Sequence, residues 1–310
     1  MKAIVCTKYG QPEVLQLKDV EKPTPRKNEV CIKIFATAVT ASDSIIRGFK
    51  VPMSLWLPMG LVLGFTKPRK PILGMVLAGE VESVGKDVKS FNIGDQVYAF
   101  NIRQFGAYAE YTCWPDSVIA IKPSNVTYEE AAALPFGGLI ALHYVKKGNI
   151  QSGQNVLVYG ASGAIGISAV QLARYFGAKV TGVCSTSNLE LVKSLGADIV
   201  TDYTKEDSNN SGELYDFIFD AVGKRKSSKF KIRSKNALTP SGKYISVDDG
   251  SPKINIEGLN LLKELVEAGQ IKPVIDRRYP LEQIVEAHRY VDKGHKRGNV
   301  VITIEHKNKT

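Results

Sequence analysis

The sequence predicts an α/β protein in two parts, a β-rich part followed by a doubly wound parallel sheet. Three observations carry this reading. Short apolar runs punctuated by Gly, Pro and Asp fill residues 1–122. From Asn155 onward, short apolar runs alternate with segments of helical period. A glycine loop joins the first of these later strands to the helix that follows.

In the first part the runs AIVC, EVCIKIFATAV, GMVLAGEVESVG, DQVYAF and AYAEYTC read as strands of a small, bent β domain. The character changes near Lys122-Pro123. Thr127 to Glu130 has the form of a capping box, with a Thr cap and a Glu three residues on, and a helical stretch follows, interrupted at Pro135 and ending near Gly148. NVLVY is then a buried strand. Ile165, Ala169, Leu172 and Phe176 share one helical face, and Gly177 stops that helix. KVTGVC, DIVTDY, DFIFDAV and KYISV complete the strands, and strand–helix alternation implies parallel pairing with right-handed crossovers. Residues 258–268 and 281–293 have amphipathic helical pattern, and 299–304 reads as a last strand.

Composition narrows the class. A chain of 310 residues with 44% hydrophobic and 23% charged residues is long enough for two cores and matches a globular protein. Cys6, Cys31, Cys113 and Cys184 are scattered with no CxxC pair, which argues against a disulfide framework and a Cys-rich zinc lobe. The start MKAIVCTKYG enters a strand pattern at once, without a signal-peptide pattern, so the expected location is cytoplasmic. The net charge of +10 is concentrated in 224–235 and 306–310, which read as solvated lysine runs.

Val51–Phe65 (VPMSLWLPMGLVLGF) is apolar but too short to span a bilayer. Its prolines and glycines favour an irregular excursion rather than a helix. Exposing its large side chains would cost on the order of 1.5–3 kcal/mol each, so they are expected to pack on the core, line a pocket or meet a partner. Met53, Trp56 and Met59 are the candidate wall of a substrate pocket, with Trp56 in an apolar lid.

The loop Gly160-Ala-Ser-Gly163-Ala-Ile-Gly166 lies between a strand and a helix, where glycines let backbone approach a pyrophosphate and the helix N-terminus supplies amide donors. Gly160, Ser162, Gly163, Ala164, Ile165 and Gly166 are therefore candidate dinucleotide-binding residues. The next strand ends Val183-Cys184-Ser185-Thr186-Ser187-Asn188, with no acid to bind a ribose diol. A carboxylate there would repel a 2′-phosphate, whereas hydroxyls and amides donate to it. Ser185, Thr186 and Asn188 thus favour NADPH over NADH.

Together with ATAVTASD at 36–43, GMVLAGEVESVG at 74–85, GAYAEY at 106–111, AAALPFGGLIAL at 131–142, DYT at 202–204 and FDAVG at 219–223, these motifs closely resemble the zinc-free branch of the medium-chain dehydrogenase/reductase superfamily, the quinone oxidoreductases and alkenal/enone reductases. The resemblance implies a GroES-like catalytic domain at 1–122, a Rossmann NADP-binding domain at 123–252, and a segment 253–310 that returns to the first domain, with the site in the cleft between them. Where zinc relatives bind metal, this chain has Thr40, Met75-Val76 and Gly138, so no zinc is expected and a zinc alcohol dehydrogenase is disfavoured. Thr40 becomes a candidate hydrogen-bond donor to a substrate oxygen. Asp43 becomes a structural acid pairing with a neighbour such as Arg47, or a proton relay. Tyr203 falls near the adenosine phosphate of relatives. The implied substrate is a small hydrophobic electrophile, a quinone or enone. A homodimer is left open by the short stretch Val247–Leu259, where relatives use a dimer-forming edge strand. The alternative is a non-catalytic dinucleotide-binding protein with an RNA-binding or scaffold role, but the basic run lacks interleaved aromatics and nucleic acid is not expected.

Overall fold

A computed structural model describes residues 1–205, 212–223 and 228–306. Along the chain come β1 (Lys2–Cys6), β2 (Leu15–Asp19), β3 (Glu29–Val39), α1 (Ala41–Gly48), α2 (Met53–Leu63), β4 (Val76–Val84), β5 (Gln96–Phe100), β6 (Tyr111–Pro115) and β7 (Ile119–Ile121). Next are α3 (Tyr128–Ala132), α4 (Pro135–Gly148), β8 (Asn155–Tyr159), α5 (Ala164–Tyr175), β9 (Lys179–Cys184), α6 (Leu189–Ser194), β10 (Ile199–Asp202), β11 (Tyr215–Asp220), α7 (Lys229–Ser234), β12 (Leu238–Ser246) and α8 (Ile256–Glu267). The chain closes with β13 (Ile275–Pro280), α9 (Ile284–Asp292) and β14 (Asn299–Thr303).

Two compact units result, one of residues 1–135 with 275–310, the other of residues 136–274. The fold is the mixed α/β one that the sequence predicts. In the first unit β1 and β2 pair by themselves, and a larger sheet runs β13-β14-β3-β4-β5-β7, with β6 also on β3. The C-terminal strand β14 lies antiparallel to β3, Val301 opposite Ala38. This unit's core is built on Ile32, Ile34, Leu77, Tyr108 and Trp114, all fully buried. The Trp114 indole keeps its polar atom satisfied by donating to the Phe105 carbonyl at 2.9 Å.

The second unit is one parallel sheet in the order β10-β9-β8-β11-β12. Strand order reverses at β8, so β9 and β11 flank it and send their chains to opposite sides. In open α/β sheets the crevice at the carboxyl ends beside such a reversal is where ligands bind. Thr127 caps α3 as its sequence predicts, its hydroxyl accepting from the Glu130 amide while the Glu130 carboxylate accepts from the Thr127 amide. Pro135 opens α4, where its missing N–H costs nothing.

Two expectations are corrected. Residues 53–63 form helix α2 rather than an irregular excursion. Side-chain packing overrides the prolines there: the Trp56 ring contacts Phe49 and Phe65 at 6.3 and 5.2 Å, and the Tyr9 hydroxyl donates to the Leu63 and Gly64 carbonyls. The basic run 224–235 is not simply a solvated face. Residues 224–227 lie outside the described part, and beyond them Phe230 and Lys231 are buried. Lys231 Nζ stands 2.6 Å from Asp220, which meets the cost of its burial with a paired charge. Of the second basic cluster, 307–310 lie outside the described residues.

Asp43 does not pair with Arg47. The fully buried Arg47 guanidinium donates to the Gly10 carbonyl at 3.2 Å, to Asp292 at 2.6 Å and to His288 Nδ1 at 3.0 Å. A guanidinium has only donors, so Nδ1 must be the lone-pair nitrogen and His288 is neutral with its proton on Nε2. Burial, then the Arg47 charge, push the His288 imidazole down to about 3. The unfolded chain binds that proton near its ordinary value of about 6.5. The stability from a neutral His288 is therefore complete above that pH and drains away as pH falls toward about 3. Urea unfolding of wild type and His288→Asn at several pH values checks this. The stability gap between them should narrow by on the order of 3 kcal/mol between about pH 7 and about pH 4. A gap that stays constant means that His288 is not held neutral.

Candidate functional site

The site begins where β8 ends. Gly160 has φ +80°, a left-handed backbone that glycine adopts without strain, and a Cβ there would fall 2.4 Å from Val222 in the loop after β11. Gly166, in the first turn of α5, would place a Cβ only 2.1 Å from the Gly160 carbonyl oxygen. Gly163 differs. Its φ is −79°, and the nearest atom to an added Cβ is that same oxygen at 3.6 Å. Gly160 and Gly166 are thus demanded by the protein's own packing, while Gly163 leaves open space in front of the helix.

Gly163 is the N-cap of α5 and offers no side-chain acceptor to its first turn. The leading amides of a helix lack partners within it and carry the positive end of the dipole. The amides of Ala164, Ile165 and Gly166 with the space at Gly163 form a cradle fit for the pyrophosphate of a dinucleotide. Beside it, Asn188 Nδ2 donates to the hydroxyls of Ser162 and Ser185 at 3.2 and 3.1 Å. Its Oδ1 is buried without a hydrogen-bond partner, an acceptor that a ligand hydroxyl would satisfy. Tyr203, 40% exposed, donates its backbone N–H to the Cys184 carbonyl at 3.2 Å and sets its ring 6.0 Å from Tyr159. The sequence-predicted residues of the cofactor loop and of the β9 end therefore stand on one edge of one sheet.

One residue there was not anticipated. Parallel pairing sets Asp202 of β10 opposite Cys184 of β9, which brings a carboxylate to the hydroxyl of Thr186. Asp202 also accepts from the Thr204 amide and hydroxyl at 2.9 and 2.7 Å. Burial works to raise its carboxyl, but the hydrogen bonds from Thr186 and Thr204 outweigh it and hold the group below the usual carboxylate range. The motif DYT is visible in the sequence, yet only strand pairing reveals what its acid touches. Asp220 at the end of β11 is similar: it accepts from the Val222 and Gly223 amides at 3.1 Å and from the Tyr244 hydroxyl at 2.8 Å, beside Lys231.

In the first unit, Thr40 caps α1. Its hydroxyl donates to Asp43 Oδ2 at 2.6 Å and accepts from the Asp43 amide at 3.2 Å, while the same carboxylate accepts from the Thr40 amide at 2.9 Å. Burial lifts the Asp43 carboxyl to about 6 against these hydrogen bonds, and the Tyr108 phenol beside it is pushed well above its usual range by burial and by that carboxylate. The proton of Thr40 is thus committed to Asp43. Of the other expected ligand-position residues, Met75 is buried, and a Cβ at Gly138 on α4 would meet Leu262 at 2.7 Å. Among the described residues no three His, Cys, Asp or Glu side chains stand together as a metal site. Of the three candidate pocket residues on α2, Met59 is half-buried, Trp56 45% exposed and Met53 90% exposed.

The five-stranded parallel sheet and its glycine cradle define a Rossmann-type dinucleotide fold, joined in one chain to a β-rich unit. Residues 26–124 match the family described as the alcohol dehydrogenase GroES-like domain, and 164–265 and 251–302 match two families both described as zinc-binding dehydrogenase. A 2-methylene-furan-3-one reductase of Solanum lycopersicum is 34% identical over 97% of this chain and 79% of its own length. An NADPH-dependent alkenal/one oxidoreductase, chloroplastic, of Arabidopsis thaliana is 32% identical over the same shares. Among solved structures, the quinone oxidoreductase from Coxiella burnetii superposes with a TM-score of 0.86 at 30% identity, covering 98% of this chain and 99% of that one. The chain belongs to the medium-chain dehydrogenase/reductase superfamily, in its quinone and enone reductase-like group.

The unequal roles of the loop glycines give a test. Gly163→Val should fold with near-native stability, because its backbone is ordinary and its space open, yet weaken dinucleotide binding by on the order of a hundredfold or more by filling the cradle. Gly166→Val should instead destabilise the fold by about 3 kcal/mol or more through a backbone clash. Fluorescence titration with dinucleotide and thermal melts separate the two. Undiminished binding by Gly163→Val would move the cofactor elsewhere.

Proposed function

We propose that this protein is an NADPH-dependent, zinc-independent reductase that delivers hydride to quinones or α,β-unsaturated carbonyls. The observation that carries the reading is the open cradle at Gly163 beside a β9 end that presents Ser185, Thr186 and Asn188 and no acid of its own. Relatives named for alkenal/one, furanone and quinone reduction support it. When bound, NADPH supplies the hydride. The protein's part is to seat the pyrophosphate on the α5 amides and the 2′-phosphate among the β9 hydroxyls.

Thr40, Met75 and Gly138 offer no thiolate or imidazole where zinc relatives have ligands, so an already electrophilic carbon is a better acceptor than a plain ketone. Thr40 and Asp43 are the proposed polar pair toward a substrate oxygen. With Asp43 protonated near its lifted value of about 6, its proton can pass to the Thr40 oxygen while the Thr40 proton passes to the substrate oxygen.

A panel of a quinone, an enone, an aldehyde and an alcohol, each with NADPH or NADH, tests the reading. Turnover of the quinone or enone with NADPH, unchanged after exhaustive chelation, is expected. Zinc-dependent oxidation of the alcohol would overturn it. In the same assay Ser185→Asp should raise the Kd for NADPH by about tenfold to a hundredfold and favour NADH, since a new carboxylate repels the 2′-phosphate and accepts from a ribose diol. An unchanged cofactor ratio would place the phosphate away from Ser185.

A further inference from the structure

Helix α2 carries apolar side chains on the face it turns to solvent. Met53 is 90% exposed, Val62 69%, Leu57 60%, Leu61 56% and Leu55 49%. At 100° per residue, Trp56, Met59, Gly60 and Leu63 share one arc, and these are the residues turned toward the rest of the first unit. The remaining arc, more than half the circumference, holds Met53, Leu55, Leu57, Pro58, Leu61 and Val62. A monomeric surface does not ordinarily expose so continuous an apolar ridge.

The charged side chains of the segment that carries the ridge are of one sign. No Asp or Glu occurs from Ser44 to Gly79. Lys50 precedes the helix, Lys67, Arg69 and Lys70 follow it, and all four are exposed. The Arg69 amide donates to the Leu63 carbonyl at 2.8 Å, which folds the basic segment back to the end of α2.

We infer that α2 docks this protein on an anionic phospholipid surface, its outward ridge entering the headgroup–acyl boundary and Lys50, Lys67, Arg69 and Lys70 meeting lipid phosphates. An 11-residue helix is about 16 Å long, half the hydrocarbon core, so it lies in the interface and does not cross it. A second copy of the chain is the poorer occupant. Two-fold pairing would set this patch against itself, cation against cation, with no acid in the segment to answer them. A bilayer accepts a convex ridge without a matching groove and supplies the anions. The inference concerns binding alone and stands apart from the reductase reading.

The test is sedimentation of the full chain with vesicles of phosphatidylcholine alone or of phosphatidylcholine mixed with phosphatidylglycerol. Wild type should pellet with the mixed vesicles, far less with the neutral ones, and release as salt rises. Leu57→Asp/Leu61→Asp changes two exposed side chains, so it should keep its melting temperature while vesicle partition falls at least about tenfold. Lys67→Ala/Arg69→Ala/Lys70→Ala should weaken binding to the anionic vesicles specifically. Trp56 borders the ridge and is 45% exposed while the only other tryptophan, Trp114, is fully buried, so a blue shift of emission on adding mixed vesicles reports α2 entering the lipid. Failure to pellet with either vesicle overturns the inference, as does binding that survives the double aspartate variant. A dimer in solution that this variant dissolves would assign the ridge to a second copy or, with a captured acidic protein instead, to a protein partner, and either result also overturns it.

Discussion

The Gly160 carbonyl and the first turn of α5 compete for the same small volume, and the second unit depends on that competition being settled by glycine. A Cβ at residue 166 would lie 2.1 Å from the carbonyl oxygen, well inside contact distance with backbone that cannot move aside. With hydrogen there, α5 starts directly behind β8, and its amides face the carboxyl edge of the sheet. The same carbonyl accepts from the Gly163 amide at 3.1 Å, so the turn is closed by its own backbone. Open space is then left at only one of the three glycines. On the proposed reading, the pyrophosphate cradle is a by-product of close helix–strand packing, with Gly163 free of side chain at the one point where a ligand, rather than the protein, would need the room.

Buried charge organises the first unit in a comparable way. Arg47 sits on α1, and His288 and Asp292 on α9 near the C-terminus, so one guanidinium joins segments more than two hundred residues apart in the chain. A lone buried guanidinium would be costly, and one carboxylate satisfies only part of its fork. The neutral imidazole of His288 and the Gly10 carbonyl accept from its Nη1 and Nε. The strand pairing of β14 with β3 needs the C-terminal segment in place, and this cluster ties α9, just before β14, to α1, just after β3.

Legibility in the sequence followed the range of the interaction. The Thr127–Glu130 capping box, the strand–loop–helix at 155–175 and the C-terminal strand are each decided within a few residues, and each stands where the sequence predicts. β2 and β7 escaped because the first has four of five residues exposed and the second is three residues long, so neither has an apolar period to read. α2 is hidden from the sequence because Pro58 and the flanking glycines argue locally against helix, while the decisive contacts come from Tyr9, Phe49 and Phe65. Spacing pairs Arg47 with the acid four residues away, whereas Asp43 is committed to capping with Thr40 and the carboxylate that Arg47 meets lies 245 residues on. Among cofactor residues, the loop and the β9 hydroxyls are local features. Asp202 joins them only through the register of β9 with β10.

That register matters for how a 2′-phosphate could be tolerated so near an anion. A carboxylate repels phosphate through its charge, but also withholds any hydroxyl that donates to it. Asp202 accepts from Thr186 and from two groups of Thr204, which spreads its charge over fixed donors and holds it ionised. Thr186 therefore points its proton inward at Asp202 and turns a lone pair outward, so it is a poorer phosphate donor than its type suggests. For a 2′-phosphate at this edge the donors would be the hydroxyls of Ser185 and Ser162, which the Asn188 amide bridges and can orient. On the proposed reading, selectivity at this edge would be a balance between a shielded acid and two oriented hydroxyls. It would be set by which protons Asp202 has already claimed, not by the count of hydroxyls along the strand end.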